Sequence, residues 1–362
     1  MLSRTAFAEL PGWAEHDHAA ALETFRRSAR EILAQGSGFA RALRFGGSRA
    51  AWEEACRTGL GATDARSFFQ TSFRAYRVAD ADRPQGLFTG YYEPEIEGSR
   101  EAGPDYPVPF YRRPADLVAF SPEERARTGL AYGRRIAGEP CPYLTRSEIE
   151  QGALSGQGLE TAWAKDWADA FFIHIQGSGR LKLPDGSSLR LTYDGKSGLP
   201  YTAIGAILVQ RGQVKAEEMS MQAIRRWMAA NPEQARALMW ENRSFVFFRE
   251  AVLENPGLGA LGAQHVQLTP RRSLAVDREI WAFGTPVWLD TAVPSSDEGG
   301  MNRFRQLLIA QDTGSAIKGL ARGDVYWGFG AAAGEIAGAM KSAGAMTVLL
   351  PHAVADELGL AP

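Results

Sequence analysis

The chain has 362 residues, of which 45% are hydrophobic and 23% are charged, a composition that excludes a disordered or collagen-like protein. Forty basic and 42 acidic residues leave a formal net charge of −2. This charge is too small to attract a nucleic-acid backbone, so no nucleic-acid partner is expected. At roughly 150 residues per domain, the length predicts two domains.

Covalent and membrane features are few in this sequence. Cys56 and Cys141 are too few for a disulfide framework or a structural zinc site, and we expect two free thiols. No apolar run approaches the roughly 20 residues that a membrane-spanning helix needs. Residues 1–7 lack an apolar signal core and a cysteine for lipid attachment, so we expect either an intracellular protein or a trimmed mature form.

The N-terminal part of the sequence predicts helices. Apolar residues recur at helical spacing over 19–33, a second helix is expected near 50–58, and a third is predicted to begin at Thr63 as N-cap. The aromatic segment 87–94 then predicts a strand that ends at a proline. Residues 98–114 contain four prolines and are the candidate crossing between domains.

The middle of the chain mixes short helices and strands. Ser121 and Thr145 each open a capping box, which predicts that helices begin there. Residues 171–176 predict a strand that stops at glycines, and a turn at 184–187 is predicted to join it to a strand over 189–193. Three further helices are expected, near 203–211, 220–230 and 232–240.

The last third of the sequence returns to strands, predicted at 244–248, 286–289, 306–310 and 346–350. Short apolar strands joined by glycine-rich connections favour a barrel or a sandwich over a parallel sheet. The residues by themselves therefore predict an α+β protein with β-barrel content and an N-terminal helical segment.

Asp312 and Asp324 are the strongest candidates for chemistry. A buried strand delivers Asp312 at its end, and a glycine-rich loop is predicted to carry Asp324 beside Tyr326 and Trp327. Desolvation and like-charge repulsion raise the pKa of an aspartate among aromatic rings and near a second carboxylate, as a general acid requires. The alternative is that both aspartates only cap turns.

Other kinds of active site have little support in the sequence. It holds no nucleophile elbow, phosphate loop or zinc-protease motif, and its five histidines lack metal-ligand spacing, so no metal and no cofactor are expected. Aromatic residues such as Tyr91, Tyr193 and Tyr326 are interleaved with polar residues, which suits stacking on sugar rings. Core packing is the alternative for these rings.

Six segments carry a family resemblance, and they are 89–94, 106–111, 175–179, 219–225, 244–248 and 312–319. In this order they are similar to the membrane-bound lytic murein transglycosylase A family, which cleaves bacterial peptidoglycan. The matching segments cover the chain from about residue 86 to 350. The final third also resembles the so-called three-aspartate domain, with Asp290, Asp312 and Asp324 as its aspartates.

The resemblance implies a mainly β protein with additional α-helices, divided into two domains. A discontinuous catalytic domain, a double-psi β-barrel, would comprise residues 1–105, which include the N-terminal helices, and residues 244–362. A smaller β-rich domain would be inserted as residues 106–243. The glycan strand would lie in the groove.

The resemblance also implies the reaction. Members of the family are lytic exotransglycosylases that cleave the β-1,4 bond between N-acetylmuramic acid and N-acetylglucosamine and leave a 1,6-anhydromuramoyl end. Their catalytic acid maps onto Asp324, through the following Val-Tyr and the Gly328-x-Gly330 pattern, and their supporting carboxylate maps onto Asp312. Ordinary glycosidases need two carboxylates. One aspartate suffices here because the attacking nucleophile is the 6-hydroxyl of the substrate itself.

Further residues are predicted to bind the glycan. Glycines at strand ends let a bulky ligand approach the backbone, and neighbouring polar side chains supply hydrogen bonds. The predicted substrate-binding residues are Thr89, Gly90, Tyr91, Gln176, Gly177, Ser178, Gly179, Tyr193, Lys318 and Tyr326.

Two other functions stay open on the sequence alone. One is a hydrolytic glycosidase that uses Asp312 and Asp324 as an acid–base pair, and the other is a non-catalytic glycan-binding module in which both aspartates are structural. The substrate class predicts a periplasmic protein associated with the outer membrane, with its signal missing from this sequence. We expect a monomer that binds peptidoglycan glycan strands and associates with other cell-wall enzymes.

Overall fold

The computed structural model describes residues 1–36, 43–79, 85–252, 255–295 and 300–360. The chain forms two compact units: unit 1 comprises Met1–Tyr92 and Asn255–Pro362, and unit 2 comprises Glu93–Glu254. Unit 2 is longer at both ends than the predicted insertion, 106–243, because strands at both of its ends pair within its own sheet. Across the described ranges, no helix combines the length and apolarity needed to cross a membrane.

The regular elements alternate between helix and strand along the chain. The helices are α1 (His18–Leu33), α2 (Arg49–Gly61), α3 (Ala65–Ser72), α4 (Pro122–Thr128), α5 (Arg146–Glu148), α6 (Trp167–Gln176), α7 (Ile204–Gln210), α8 (Met221–Ala230), α9 (Pro232–Glu241), α10 (Gly330–Ala339) and α11 (His352–Glu357). The strands are β1 (Leu2–Thr5), β2 (Phe73–Val78), β3 (Gly86–Glu93), β4 (Glu95–Ser99), β5 (Val108–Tyr111), β6 (Val118–Ala119), β7 (Tyr132–Ile136), β8 (Glu139–Cys141), β9 (Glu160–Ala164), β10 (Ser178–Lys182), β11 (Ser188–Lys196), β12 (Val246–Glu250), β13 (Ser273–Val276), β14 (Pro286–Pro294), β15 (Met301–Asp312), β16 (Arg322–Phe329) and β17 (Lys341–Pro351).

The three predicted N-terminal helices are present in unit 1, each with a side-chain N-cap. Asp17 caps α1 and Ser48 caps α2, each by accepting a hydrogen bond from a backbone amide of the first turn. The cap of α3 is Asp64 rather than the predicted Thr63, since the Asp64 carboxylate accepts the first-turn amide at 3.1 Å. Phe73 lies outside α3 and begins β2.

The sheet of unit 1 has the strand order β1-β2-β17-β14-β15-β13-β16-β3, and β3 pairs in addition with β17. At its centre, β13 lies parallel to β15 and antiparallel to β16, and all four of its residues are buried. The strands of the last third are longer than predicted, with 12 residues in β15 and 11 in β17. Buried apolar side chains on these strands form the core on which the site is built.

Unit 2 contains a six-stranded sheet of order β12-β11-β10-β4-β9-β5 and a three-stranded sheet of order β6-β7-β8. The predicted capping boxes of Ser121 and Thr145 are formed, at the starts of α4 and α5. The proline-rich segment 98–114, predicted to be a crossing between domains, lies within unit 2 and contains the edge strand β5. The turn at 184–187 joins β10 to β11, which pair antiparallel.

Residues 171–176 were predicted to be a strand, and this is wrong: they form the second half of α6. Asp166 caps this helix through two first-turn amides, at 2.8 and 2.9 Å, and Gly177, with φ of 78°, ends it in the left-handed conformation. Ile173 is buried against the sheet, whereas Phe171 is buried in the cluster formed by α7, α8 and α9. A helix buried on two faces shows a continuous apolar run rather than a helical period.

Candidate active site

Asp312 and Asp324 reach the site on the two strands that flank β13. Asp312 is the last residue of β15, as predicted, and Asp324 lies within β16 rather than in a glycine-rich loop. Both aspartates are register partners of Ala275 on β13, so their side chains share one face of the sheet. Two strand spacings separate their Cα atoms by about 10 Å.

Asp324 is held by a short chain of polar contacts. The Thr89 hydroxyl on β3 donates to Oδ1 of Asp324 at 2.6 Å, and Nη2 of Arg322 donates to the same hydroxyl oxygen at 2.8 Å. Arg322 is 8% exposed, whereas Asp324 stays partly accessible. Among the described residues, no donor forms a hydrogen bond with Oδ2 of Asp324.

Asp312 accepts three hydrogen bonds. The backbone amides of Ala263 and Thr313 donate to Oδ1, each at 2.9 Å, and the Tyr91 hydroxyl donates to Oδ2, also at 2.9 Å. The neighbouring Gln311 is fully buried, and its side-chain amide donates to a backbone carbonyl of α1 at 3.0 Å. These contacts fix the end of β15, and with it the position of the Asp312 carboxylate.

The electrostatics of the two carboxyl groups differ because their hydrogen bonds differ. Burial raises the pKa of Asp324, the Thr89 hydrogen bond and the Arg322 charge lower it, and the Asp312 charge raises it further. Burial also raises the pKa of Asp312, against the lowering effect of its three hydrogen bonds. Three donors favour the ionised form of Asp312, whereas Asp324 has a single one. Two carboxyl groups with raised pKa values but different hydrogen bonding therefore lie on one face of the sheet, an arrangement that can supply a general acid.

Two tyrosines surround the carboxyl groups. Burial, followed by the charge of Asp312, raises the pKa of Tyr91 well above its usual value, so the hydroxyl stays protonated and donates. Tyr326 is 1% exposed, and its ring centroid lies 5.2 Å from that of Tyr91. Its hydroxyl packs against Gly259, where an added Cβ would lie 2.3 Å away. Tyr91 thus belongs to the site directly, while Tyr326 forms part of its floor.

Gly90 faces the opposite side of β3 from Thr89 and Tyr91, because side chains alternate along a strand. A Cβ at position 90 would lie 2.6 Å from Nε1 of Trp327 and 2.8 Å from the Cα of Ala337. Glycine is therefore required there for the close packing of β3 on β16 and α10.

Lys318 and Asp290, both singled out from the sequence, have ionic partners of their own. The ammonium group of Lys318 lies 3.4 Å from Asp277 and 3.1 Å from Glu279. Asp290 forms ion pairs with two arginines of β15, at 3.3 and 3.2 Å. The positive charge that acts on Asp324 comes from Arg322 instead.

The remaining predicted residues belong to unit 2. Gln176 ends α6, Gly177 is its left-handed cap, and Ser178 begins β10. An added Cβ at Gly179 would lie 2.6 Å from an isoleucine of α6, so this glycine allows helix and strand to pack closely. Tyr193 on β11 is 47% exposed.

Sequence reasoning missed Arg322 and the amide of Ala263. Side chains two residues apart on a strand lie on the same face of the sheet. A predicted strand over 322–329 would therefore have placed Arg322 beside Asp324. The Ala263 amide has no sequence signal, because any residue supplies a backbone N–H. Within the described ranges, no group of three or more His, Cys, Asp or Glu side chains is placed to hold a metal ion.

Comparison with known proteins identifies the family. The family model described as MltA specific insert domain matches residues 87–249, and the one described as 3D domain matches residues 272–350. The chain is 35% identical over 320 residues to the membrane-bound lytic murein transglycosylase A of Vibrio cholerae, covering 87% of this chain and 78% of that protein. The chain belongs to the membrane-bound lytic murein transglycosylase A family. The prediction made from the six sequence segments is confirmed.

Solved structures of this transglycosylase family share the fold. The membrane-bound lytic murein transglycosylase of Agrobacterium tumefaciens superimposes with a TM-score of 0.88 at 34% identity, covering 99% of both chains. The Escherichia coli MltA structure with bound chitohexaose gives a TM-score of 0.68 at 30% identity, covering 97% of this chain and 91% of that one. The fold is thus a mixed α/β one with large sheets, as in these relatives.

Proposed function

We propose that this protein is a lytic transglycosylase that cleaves the β-1,4 bond between N-acetylmuramic acid and N-acetylglucosamine in peptidoglycan. The observation that carries the proposal is the environment of Asp324, a partly accessible carboxyl group with a raised pKa and one hydrogen bond. Cleavage of a glycosidic bond needs such a protonated acid. Family membership supports the substrate class, since the relatives are named murein transglycosylases.

In the proposed reaction, Asp324 acts first as acid and then as base. Its proton passes to the glycosidic oxygen while the bond from that oxygen to C1 of N-acetylmuramic acid breaks. The 6-hydroxyl of the same sugar attacks C1, and the Asp324 carboxylate takes up the hydroxyl proton. The products are a 1,6-anhydro end and a free N-acetylglucosamine hydroxyl, and no water is consumed. Because the attack is intramolecular, positioning lowers the barrier by several kcal/mol.

Asp312 is assigned a supporting role in this reaction. Its three hydrogen bonds favour the carboxylate, and its negative charge raises the pKa of Asp324. That charge also favours the positive charge that develops on the sugar as the bond breaks. Asp312 is therefore the supporting carboxylate rather than the acid.

Unit 1 is proposed to be the catalytic domain, a double-psi β-barrel, and unit 2 the inserted domain. Support for a barrel comes from the strand pairings. The strands β17-β14-β15-β13-β16-β3 are neighbours in this order, and the additional pairing of β3 with β17 closes them into a ring of six strands. The parallel pair β13 and β15 lies inside this ring. Both aspartates, Thr89 and Tyr91 belong to these strands.

Each unit contains residues that are proposed to bind the glycan. In unit 1, Tyr91 is partly exposed beside the aspartates. In unit 2, Gln176 and Ser178 offer hydrogen-bonding groups, and Tyr193 offers an exposed ring. The chitohexaose in the Escherichia coli relative supports a binding site for a β-linked sugar chain. Because the substrate is a cell-wall polymer, the proposed location is the periplasm, in association with the outer membrane. A monomer that associates with other cell-wall enzymes is proposed as the acting form.

Mass spectrometry of purified peptidoglycan after digestion tests the proposed function. Lytic cleavage yields fragments that end in 1,6-anhydromuramic acid and carry no added water, whereas a hydrolase yields reducing ends that are heavier by one water. Release of reducing ends only would contradict the lytic mechanism. No release at all, with glycan binding retained, would indicate a binding module.

A further inference from the structure

The hydroxyl group of Thr89 connects a buried cation to the proposed acid. Nη2 of Arg322 lies 2.8 Å from Thr89 Oγ1, and the same oxygen lies 2.6 Å from Oδ1 of Asp324. A guanidinium group only donates hydrogen bonds, so the hydroxyl oxygen accepts from Arg322 and its one proton points to Asp324. The directions of both hydrogen bonds follow from this donor chemistry.

We propose that Arg322, through Thr89, positions the proton of Asp324 for glycan cleavage. Oδ1 of Asp324 accepts the hydrogen bond of the Thr89 hydroxyl, with 2.6 Å between the two oxygens. A proton bound to Oδ1 would point at the Thr89 proton and be repelled by it. The transferable proton of Asp324 therefore sits on Oδ2, which accepts no hydrogen bond from the described residues. This proposal rests on the proposed function of Asp324. Arg322 and Thr89 are positioning residues, since they act through Asp324.

The surroundings of Arg322 hold its guanidinium group in place. The side chain is 8% exposed, and Nη1 donates to the backbone carbonyl of Gly323 on its own strand and to that of Leu87 on β3, the latter at 3.5 Å. The guanidinium thus links β16 to β3 beside Asp324. A group with partners on both strands keeps Nη2 directed at Thr89.

Other charged and titratable groups also face Asp324 and are left unchanged by the test. Asp312 on β15 and Tyr91 on β3 lie on the same face, and Lys341 on β17 is the register partner of Thr89. Among the groups that act on Asp324, the Asp312 charge raises its pKa, and the Thr89 hydrogen bond and the Arg322 charge lower it.

The decisive experiment compares Thr89→Val with Thr89→Ser in the full chain. Valine keeps the shape of threonine but lacks the hydroxyl, whereas serine keeps the hydroxyl. We expect Thr89→Val to lower kcat by about 10-fold or more, because a hydrogen bond to the acid is lost. The alkaline limb of its pH–rate profile should also move to higher pH, since that hydrogen bond lowers the pKa of Asp324. Thr89→Ser should keep the wild-type limb and most of the activity.

Arg322→Met tests the cation in the same assay. Loss of the Arg322 charge should also move the alkaline limb to higher pH. In the double variant, Thr89→Val should reduce kcat by a smaller factor than it does in the wild-type background, since both residues act on the same proton of Asp324. An unchanged limb in Thr89→Val, or equal losses in Thr89→Val and Thr89→Ser, would overturn the proposal. If Arg322→Met does not fold, the two Thr89 variants decide the matter by themselves.

Failure of this proposal is distinguishable from failure of the proposed function. If wild type releases no anhydromuropeptides, or if Asp324→Asn stays active, the assignment of the acid is wrong. If wild type is active and Asp324→Asn is inactive while the Thr89 variants share the wild-type limb, only the positioning role is wrong. Carbon-13 NMR titration of the Asp324 carboxyl group in the Thr89 variants measures the same shift without relying on turnover.

Discussion

Asp324 and Asp312 are both partly accessible carboxyl groups on one face of the sheet, and they differ in their hydrogen bonds. We predict that Asp324→Asn abolishes the transferable proton while keeping the size of the side chain. General acid–base catalysis contributes typically about 10²- to 10⁴-fold, and the loss should reach the upper figure because one group serves as acid and base. Release of anhydromuropeptides measures the loss, and Asp356→Asn, an exposed residue paired with Arg74, is the matched control. Activity near that of the control would show that the acid lies elsewhere.

The neutral variant of the second aspartate should change the pH dependence. The charge of Asp312 raises the pKa of Asp324, so Asp312→Asn removes that effect and lowers the pKa. A general acid must be protonated, and its protonated fraction falls as pH rises through its pKa. The alkaline limb of kcat/KM should therefore move to lower pH, with a loss of activity smaller than for Asp324→Asn. A limb that stays at the wild-type pH would show that the Asp312 charge does not act on the acid.

At the scale of elements, β3 carries Thr89 and Tyr91 on one face and packs closely through Gly90 on the other. Gly90→Ala places a Cβ 2.6 Å from the Trp327 indole and 2.8 Å from the backbone of α10. Overpacking of this kind costs about 1–3 kcal/mol in the free energy of unfolding, and a shift of β3 should also reduce activity. Urea unfolding and glycan cleavage measure both effects. Gly61→Ala, at a helix end with no atom within 4 Å of the added Cβ, is the control. Equal stability of the two variants would contradict the packing argument.

At the scale of the whole molecule, unit 2 begins at a buried ion cluster. The side chain of Glu93 is fully buried, and its carboxylate lies 3.0 Å from Nε of Arg180 and 2.9 Å from Nε of Arg190. Arg180→Met leaves the buried Glu93 carboxylate with Arg190 as its remaining partner, so the loss of one of two ion pairs should destabilise unit 2 by up to about 3 kcal/mol. Hydrogen exchange in urea locates and measures the loss.

The control for this variant is Arg127→Met, also in unit 2. Arg127 and Glu139 form an ion pair at 3.0 Å in which both side chains are exposed. Exposed pairs contribute about 0–1 kcal/mol, so this variant should unfold close to wild type. Equal stabilities of the two arginine variants would show that the Glu93 cluster does not hold unit 2 together.

Local patterns in the sequence determined much of this protein. The helices that begin at Ser121 and Thr145 follow from side chains that bond amides three residues away, and Asp312 follows an apolar run as a strand end should. The family was likewise predicted correctly from six short segments. Interactions between neighbours in the chain need no knowledge of the fold.

Tertiary structure decided the rest. Residues 171–176 belong to a helix that is buried on two faces. The sequence of such a helix lacks the alternation of apolar and polar residues that marks an amphipathic helix, so the pattern alone did not predict it. Asp324 lies in a strand because β13 and β3 pair beside it, although glycines around it indicate a loop. The Ala263 amide and the Thr89 hydroxyl reach Asp312 and Asp324 from segments 49 and 235 residues away along the chain, respectively. Contacts of that range depend on how strands are ordered in the sheet, and no local pattern of residues encodes that order.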